Sequence, residues 1–508
     1  MDKSRYLLAV DMGTGAGRCF LISLDGKYVF KSYREWKYYQ PSDAGPGALE
    51  FNAEEFWAIL AELIREVITK SGVGPEGIVA VSSTSQREGF VLLDREGKEI
   101  YAGPNLDTRI PSSAKLGLIE QHREEIYQAT GHWPTPMFAP YRLLWLKENR
   151  PNLFKAISRI LLLNDWVLYR LSGEMYSEPS NAAETLLFDI KSLRWDRALI
   201  EKLDLPPDIF PEIARSGEQI GVVTVEAAKK TGLRAGTPVV VGGADTQCAL
   251  LGTGAINDGD LSIVLGTFAP QQIVLPEPVI DTNYRVWSGC HVIPNKWILE
   301  SSAMEAGQVF RWAREFMFPN SSGQYELMDK EAALAPRGAR GVRAFLGPRI
   351  LKDYRELVWD MYGGIVVPLP VFTNHITRRE FFRAILESIA YAIWASIERL
   401  TDIAGMQPAE LRACGGLSNS QTLMRILADV SGMKVVVPLY EEGSSVGAAI
   451  CAGVGCGAFS TYSEAVDSLI RFGREYVPDV TEQPVYRDLY LEWRDMSGKL
   501  YSKREVKR

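Results

Sequence analysis

The 508-residue sequence holds only four histidines and six cysteines, and neither set is patterned. His122, His132, His291 and His375 include no HExxH spacing, and Cys19, Cys248, Cys290, Cys414, Cys451 and Cys456 include no CxxC pair. Neither a zinc site nor a disulfide framework is indicated. Long hydrophobic runs are also missing. Nothing approaches the ~18 apolar residues of a membrane span, and "YLLAV" is interrupted by Asp11 too early for the core of a secretory signal. Positive charge is in deficit. A formal net charge of −7 leaves no electrostatic footprint for nucleic acid or an anionic membrane. The basic "SKREVKR" at the C-terminus is read as a frayed helix end rather than a functional tail. Low-complexity linkers are absent as well. These absences predict a cytoplasmic protein with no tightly held transition metal and neither nucleic acid nor membrane as a partner.

What is present is an alternation of strand-like and helix-like segments in a chain that is 46% hydrophobic and 23% charged, which predicts an α/β protein of two to four domains. "YLLAVDMG" and "RCFLISLDGKYVF" read as a hairpin around a glycine-rich turn, with a second turn at Asp25-Gly26. "AEEFWAILAELIREVITKSG" carries apolar residues at helical spacing and ends in glycine. "APYRLLWLKENRPNLF" predicts a helix halted near Pro151, and "TPVVVGGADTQCALLGTGA" a buried strand, a glycine turn and a helix start. Half a chain further on, "DLSIVLGTFAPQQIVL" repeats the opening pattern, with Gly266-Thr267 where the first hairpin has Gly13-Thr14. Two such hairpins point to related α/β domains facing a cleft, although Gly-Thr between strands is common. The expected division is 1–250 and 251–508, at a compact crossover near 248–262. The Gly/Ala-rich "GSSVGAAICAGVGCGAF" predicts a helix allowing close backbone packing or close approach of a ligand.

Four segments carry candidate chemistry. "DMGTGAGR" at Asp11–Arg18 offers backbone N–H groups to phosphate oxygens, with Thr14 and Arg18 beside them and Asp11 placed to hold Mg²⁺ through water. It lacks the lysine of a GxxxxGK[ST] loop, and an ordinary hairpin with a β-bulge is the alternative. "GGADTQ" at Gly242–Gln247 puts Asp245 at the carboxyl end of a buried strand, where a carboxylate can accept a hydroxyl proton as that oxygen attacks phosphorus. The alternative is an aspartate capping the next helix. Arg87 and Glu88, at the end of the Ile78–Val81 apolar run, offer a donor fork and an acceptor to vicinal hydroxyls, with Gly89 keeping the approach open; the alternative is a surface ion pair. "CGGLSNSQ" at Cys414–Gln421 makes a platform for a flat base or ribose, or simply a tight strand-to-helix turn. Two groups are set aside: His132 and His291 as core or surface residues rather than ligands, and the aromatic set Trp312, Phe316 and Phe318 as packing rather than a cofactor box.

In this order, from Asp11 to about Gly457, these motifs resemble the FGGY carbohydrate kinases. The matching elements are DxGTxxxR, SQREG at Ser85–Gly89, GGADTQ, LGT at Leu265–Thr267 and GGLSNSQ. The resemblance implies a two-domain actin/hexokinase-like (ribonuclease H-like) ATPase fold, and ATP- and Mg²⁺-dependent phosphorylation of a sugar or polyol hydroxyl. It implies Asp245 as the catalytic base and Asp11 at the Mg-ATP site. Thr14, Gly15 and Arg18 would line the phosphates from one domain, and Gly266 and Thr267 from the other. Gly415, Gly416 and Gln421 would border the adenosine, and Arg87, Glu88, Asp245 and Thr246 the acceptor. A homodimer is left open.

Gln86-Arg87-Glu88 resembles glycerol kinases, but Met137 stands where those offer a tyrosine, and xylulose kinases carry Gln-Met-His-Gly at the substrate strand. GTGxxR, REG, "LEF" at Leu49–Phe51, "DWVLYRLSGE" at Asp165–Glu174, "PSNA" at Pro179–Ala182 and "HVIP" at His291–Pro294 resemble the kinases of autoinducer-2, a linear hydrated five-carbon dione. With Gly15 and Ala16 in the turn, phosphate contact there falls to backbone N–H groups. A kinase for a ketopentose, pentitol or glycerol is the second expectation. A catalytically silent sugar-binding regulator is the third, and the intact Asp11 and Asp245 speak against it.

Overall fold

The computed structural model describes residues 5–319, 323–356, 362–370 and 375–501. "SKREVKR" lies outside them. The first sheet is built from β1 (Tyr6–Met12), β2 (Ala16–Ser23), β3 (Val29–Glu35), β4 (Ile78–Ser85), β5 (Gln219–Val222) and β6 (Pro238–Ala244), in the order β5-β6-β4-β1-β2-β3. β1 and β2 pair without a register shift from Tyr6↔Ser23 to Met12↔Gly17, so the opening hairpin has no bulge. The helix Ala53–Ser71 covers one face. Asn52 caps its start by accepting from Glu55 N–H, Gly72 ends it in the left-handed conformation, and its apolar stripe, including Phe56, Trp57, Leu60 and Ile64, enters the first core.

The second sheet repeats the first. It contains β7 (Leu261–Val264), β8 (Phe268–Leu275), β9 (Trp287–Cys290), β10 (Trp297–Glu305), β11 (Glu410–Cys414), β12 (Lys434–Pro438) and β13 (Phe472–Tyr476), in the order β9-β10-β8-β7-β11-β12-β13. In the first sheet β6, β4 and β1 run parallel and β2 and β3 continue antiparallel. In the second, β12, β11 and β7 run parallel and β8 and β10 continue antiparallel. Gly13-Thr14 and Gly266-Thr267 fall at the equivalent hairpin. The 27-residue helix Arg378–Ala404, opened by a Thr377/Glu380 capping box, packs on the second sheet.

Two helices join the halves: Asp245–Gly252 directly after β6, and Gly443–Gly455 after β12. The second is the Gly/Ala-rich segment, and its glycines allow close backbone packing. A Cβ on Gly447 would fall 1.9 Å from the Cys248 carbonyl oxygen, and one on Gly252 would fall 1.9 Å from that of Gly443. The Gly443–Gly455 helix also packs on β1, β4 and β6 and shares a core with Leu7, Ala9 and Val240. Chain from the C-terminal half therefore completes the first half's core.

Three local expectations differ from what is observed. Gly242 and Gly243 do not turn; they lie inside β6, where a Cβ on Gly242 would meet the Ser83 carbonyl oxygen at 1.9 Å. Asn149 ends one helix as predicted, but Pro151 then opens another, Pro151–Ala156, because proline suits a first helical position. Trp312 and Phe316, one turn apart on the helix Gly307–Met317, stack on each other at 5.4 Å and are 46% and 67% exposed, so only Phe318 of that set packs inward, against Phe382. All six cysteines are free. Among the described residues no helix is long and apolar enough to cross a membrane.

Candidate active site

The carboxyl ends of β1, β4 and β6 bring Asp11, Arg87-Glu88 and Asp245 to one end of the first sheet. β6 stops at Ala244 and Asp245 is the first residue of the following helix, whose cap position is Ala244 with no side-chain cap. Asp245 is thus not the helix's capping residue, although its Oδ1 accepts from Thr246 N–H at 2.7 Å. The strand end is held from behind: Ala244 N–H donates to Ser180 Oγ at 2.9 Å, and Ser180 Oγ donates to the buried Glu178 at 2.5 Å. Burial raises the Asp245 carboxyl, Arg87 opposes this, Asp11 reinforces it, and the result is a pKa of about 7. That value suits a general base at neutral pH. Thr246 Oγ1 donates to Gln247 Oε1 at 2.6 Å.

Asp11 is buried. One oxygen accepts from Ser444 Oγ at 2.9 Å and lies 3.5 Å from Arg18 Nη1; the other, Oδ1, has no hydrogen-bond partner. Burial raises its pKa against the pull of Arg18 and Ser444. An orphaned carboxylate oxygen at this position is what a cation would satisfy. Among the described residues no group of three or more His, Cys, Asp or Glu forms a metal cage. A lone carboxylate fits Mg²⁺, which keeps several waters and takes further oxygens from phosphates.

The Arg87-Glu88 pair is not a surface ion pair, and its fork is not free. Arg87 donates to both oxygens of Glu300, at 2.8 and 3.0 Å, and from Nη1 to Glu184 at 3.3 Å. Burial would lower its pKa, but Glu184, Glu300 and Glu88 hold it well above the usual value. Glu88 adopts a positive φ of 60° and its buried Oε1 has no hydrogen-bond partner. Burial raises Glu88 against the attraction of Arg87, and Glu184, Asp245 and Glu300 raise it further, to about 8. Gly89 faces packed side chain rather than open space: a Cβ there would lie 2.5 Å from Leu163 Cδ1, so a larger residue would have to displace that leucine.

Sequence reasoning missed most of this cluster. Glu184 accepts from Arg87 and Gln247 and lies 3.1 Å from His132 Nε2. Burial would raise its pKa, but Arg87 and His132 bring it down to about 2. His132, read as a core or surface residue rather than a ligand, is buried against this carboxylate. His291 is buried and pushed down to about 3 by burial, as a core histidine. Glu300 lies in the buried strand "WILESSAME"; an acid in such a strand is the signal that was available, because carboxylates are rarely buried without a partner.

Between the halves lies a cleft of about 920 Å³. Arg18 lines it from the first half, and Gly266, Thr267, Gly416 and Gln421 from the second, with Gln308, Arg311 and Asp329. Gly266 and Thr267 are exposed, and Gly416 has nothing within 4 Å of where a Cβ would sit. Gly415 backs the floor instead, with φ of 91° and a would-be Cβ 2.7 Å from the Leu265 carbonyl oxygen. Thr14 is half-buried with its hydroxyl engaged by Asn105 Nδ2 at 3.1 Å, while Gly15 is exposed at the tip of its turn.

A sheet pair with two glycine turns across a cleft, and a carboxylate poised near neutrality, is the equipment of phosphoryl transfer. Known proteins agree. The model for the FGGY family of carbohydrate kinases, N-terminal domain, matches residues 6–252, and that for the C-terminal domain matches 261–456. An autoinducer-2 kinase of Escherichia coli is 34% identical over 97% of this chain and 94% of its own length. Among solved structures, a xylulose kinase of Lactobacillus acidophilus superposes with a TM-score of 0.84 at 22% identity, over 98% of this chain and 99% of its own. A gluconate kinase of the same organism gives 0.84 at 21% identity, over 98% of each chain. The chain belongs to the FGGY family of carbohydrate kinases and is a sugar kinase that uses ATP.

Proposed function

We propose that the protein is a cytoplasmic, Mg²⁺-dependent kinase that phosphorylates a hydroxyl of autoinducer-2 in its linear dihydroxypentanedione form. The observation that carries the substrate is the 34% identity to an autoinducer-2 kinase over nearly the whole of both chains. The geometry supports the chemistry. Asp245 takes the acceptor's proton as its oxygen attacks the γ-phosphorus. Glu88, Thr246 and the groups around Arg87 hold the acceptor. Arg18 with the Gly266-Thr267 turn holds the phosphates, Thr14 and Gly15 border them from the opposite hairpin, and Gly416 and Gln421 border the adenosine, backed by Gly415. Asp11 is the residue that would hold Mg²⁺, which supplies charge neutralisation on the phosphates. In this reading residues 1–250 carry the acceptor and 251–508 the nucleotide, with the Gly443–Gly455 helix and Glu300 crossing between them. The test offers dihydroxypentanedione and D-xylulose in equal amounts with Mg-ATP and weighs the products by mass spectrometry. Predominance of the phosphorylated dione supports the reading; predominance of xylulose phosphate keeps the kinase and overturns its substrate.

A further inference from the structure

Gln272, Glu300 and Trp287 are directly opposite one another on β8, β10 and β9. Directly paired residues of antiparallel strands share a face, so the three form a row across the second sheet. That row meets Arg87 of the first. Glu300 binds both guanidinium nitrogens, Gln272 Nε2 donates to Glu300 at 2.6 Å, and Arg87 lies over the Trp287 ring at 5.9 Å. Glu88 Oε1, Gln272 Oε1 and Trp287 Nε1, beside Arg87 and Glu300, are buried and lack hydrogen-bond partners. Between them they can both accept and donate, the inventory that uncharged hydroxyls satisfy.

A planar, bidentate fork is the group by which proteins bind carboxylates. Here Glu300 fills the Nη1–Nη2 edge, and the Nε edge faces Glu88 Oε1 at 3.9 Å. A sugar acid entering this site would find one edge of the fork taken and the other facing a carboxyl group, and would bring a further negative charge against Glu184, Glu300 and Asp245, with Arg87 as the neighbouring guanidinium. We propose that Glu300 sets the charge class of the acceptor: by filling the Arg87 fork it bars sugar acids and reserves the site for uncharged, hydroxyl-rich molecules. Glu300 is a specificity determinant acting through Arg87. The inference rests on the reading of Arg87 and Glu88 as the acceptor site.

The test measures binding, independently of turnover, by isothermal titration of the full chain with xylitol and with D-xylonate, five-carbon probes that differ in charge. Wild type, Glu300→Gln and Glu300→Asp are compared. Wild type is expected to bind xylitol at least tenfold more tightly than xylonate. Glu300→Gln, which removes the charge paired with Arg87 and leaves only one acceptor against it, is expected to tighten xylonate at least tenfold and to weaken xylitol, and Glu300→Asp to keep the wild-type order. Equal affinities for the two probes in wild type overturn the inference, and so does a folded Glu300→Gln variant whose xylonate affinity is unchanged. If Glu300→Gln fails to fold, the wild-type and Glu300→Asp orders still decide. Binding of neither probe by wild type overturns the acceptor-site reading itself and the inference with it.

Discussion

Replacing Asp245 by Asn is expected to remove activity and to stabilise the protein, and the second effect is the sharper test of the site's electrostatics. The Asp245 carboxyl rises from the usual 3.8 to about 7 in the folded state. In the unfolded chain it ionises near pH 4; in the folded protein it resists ionisation until about pH 7. Its cost to the fold is therefore absent below pH 4, grows between pH 4 and 7, and is complete above 7. At about 1.4 kcal/mol per pH unit the upper bound is near 4 kcal/mol. Asp245 is only half-buried, so solvent screening reduces this to about 1–3 kcal/mol. Asn carries no charge and retains the acceptor for Thr246 N–H. Asp245→Asn is thus expected to melt about 1–3 °C higher than wild type at pH 8, with the difference falling to about a quarter of that near pH 4.5. Thermal unfolding followed by circular dichroism at the two pH values reads this directly. Equal melting temperatures at pH 8, or a gain undiminished at pH 4.5, would refute the assignment of Asp245 as a destabilised, poised carboxylate.

Other outcomes follow from the same geometry. The kcat/KM of wild type is expected to rise with pH through about 7 as Asp245 loses its proton, and a flat profile from pH 5.5 to 8 would contradict its role as base. Asp11→Asn is expected to raise the Mg²⁺ concentration for half-maximal activity by about tenfold, equivalent to ~1.4 kcal/mol, in a Mg²⁺ titration at saturating ATP. Arg87→Ala strands the buried Glu184 and Glu300 carboxylates and is expected to cost about 3–5 kcal/mol in urea unfolding. Gly447→Ala forces a methyl against the Cys248 carbonyl and is expected to cost about 1–3 kcal/mol or more in the same assay.

The sequence was legible where function rests on local chain geometry. The two hairpins, the strand-to-helix step at Asp245 and the Gly416–Gln421 approach to the cleft each announce themselves within about twenty residues, through alternation and glycine. The environment of Arg87 was not legible. Its partners Glu184 and Glu300 lie 97 and 213 residues away and meet it only once both sheets are formed. Periodicity can place Glu300 on a face of its strand but cannot say what the opposite half presents to it. Glycine was misread for a related reason. At Gly242 and Gly89 it serves close packing of a neighbour, and a turn and a gap between large side chains leave the same mark in one dimension.

The most direct test of the central claim is ATP consumption with Mg²⁺ by wild type and Asp245→Asn against dihydroxypentanedione, D-xylulose, L-xylulose, ribulose, glycerol, erythritol and the pentitols. The account predicts turnover led by dihydroxypentanedione in wild type and a fall in kcat of about 10²–10⁴ in the variant. Tight binding of a polyol without turnover of any of them, or a variant that turns over as fast as wild type, would contradict it.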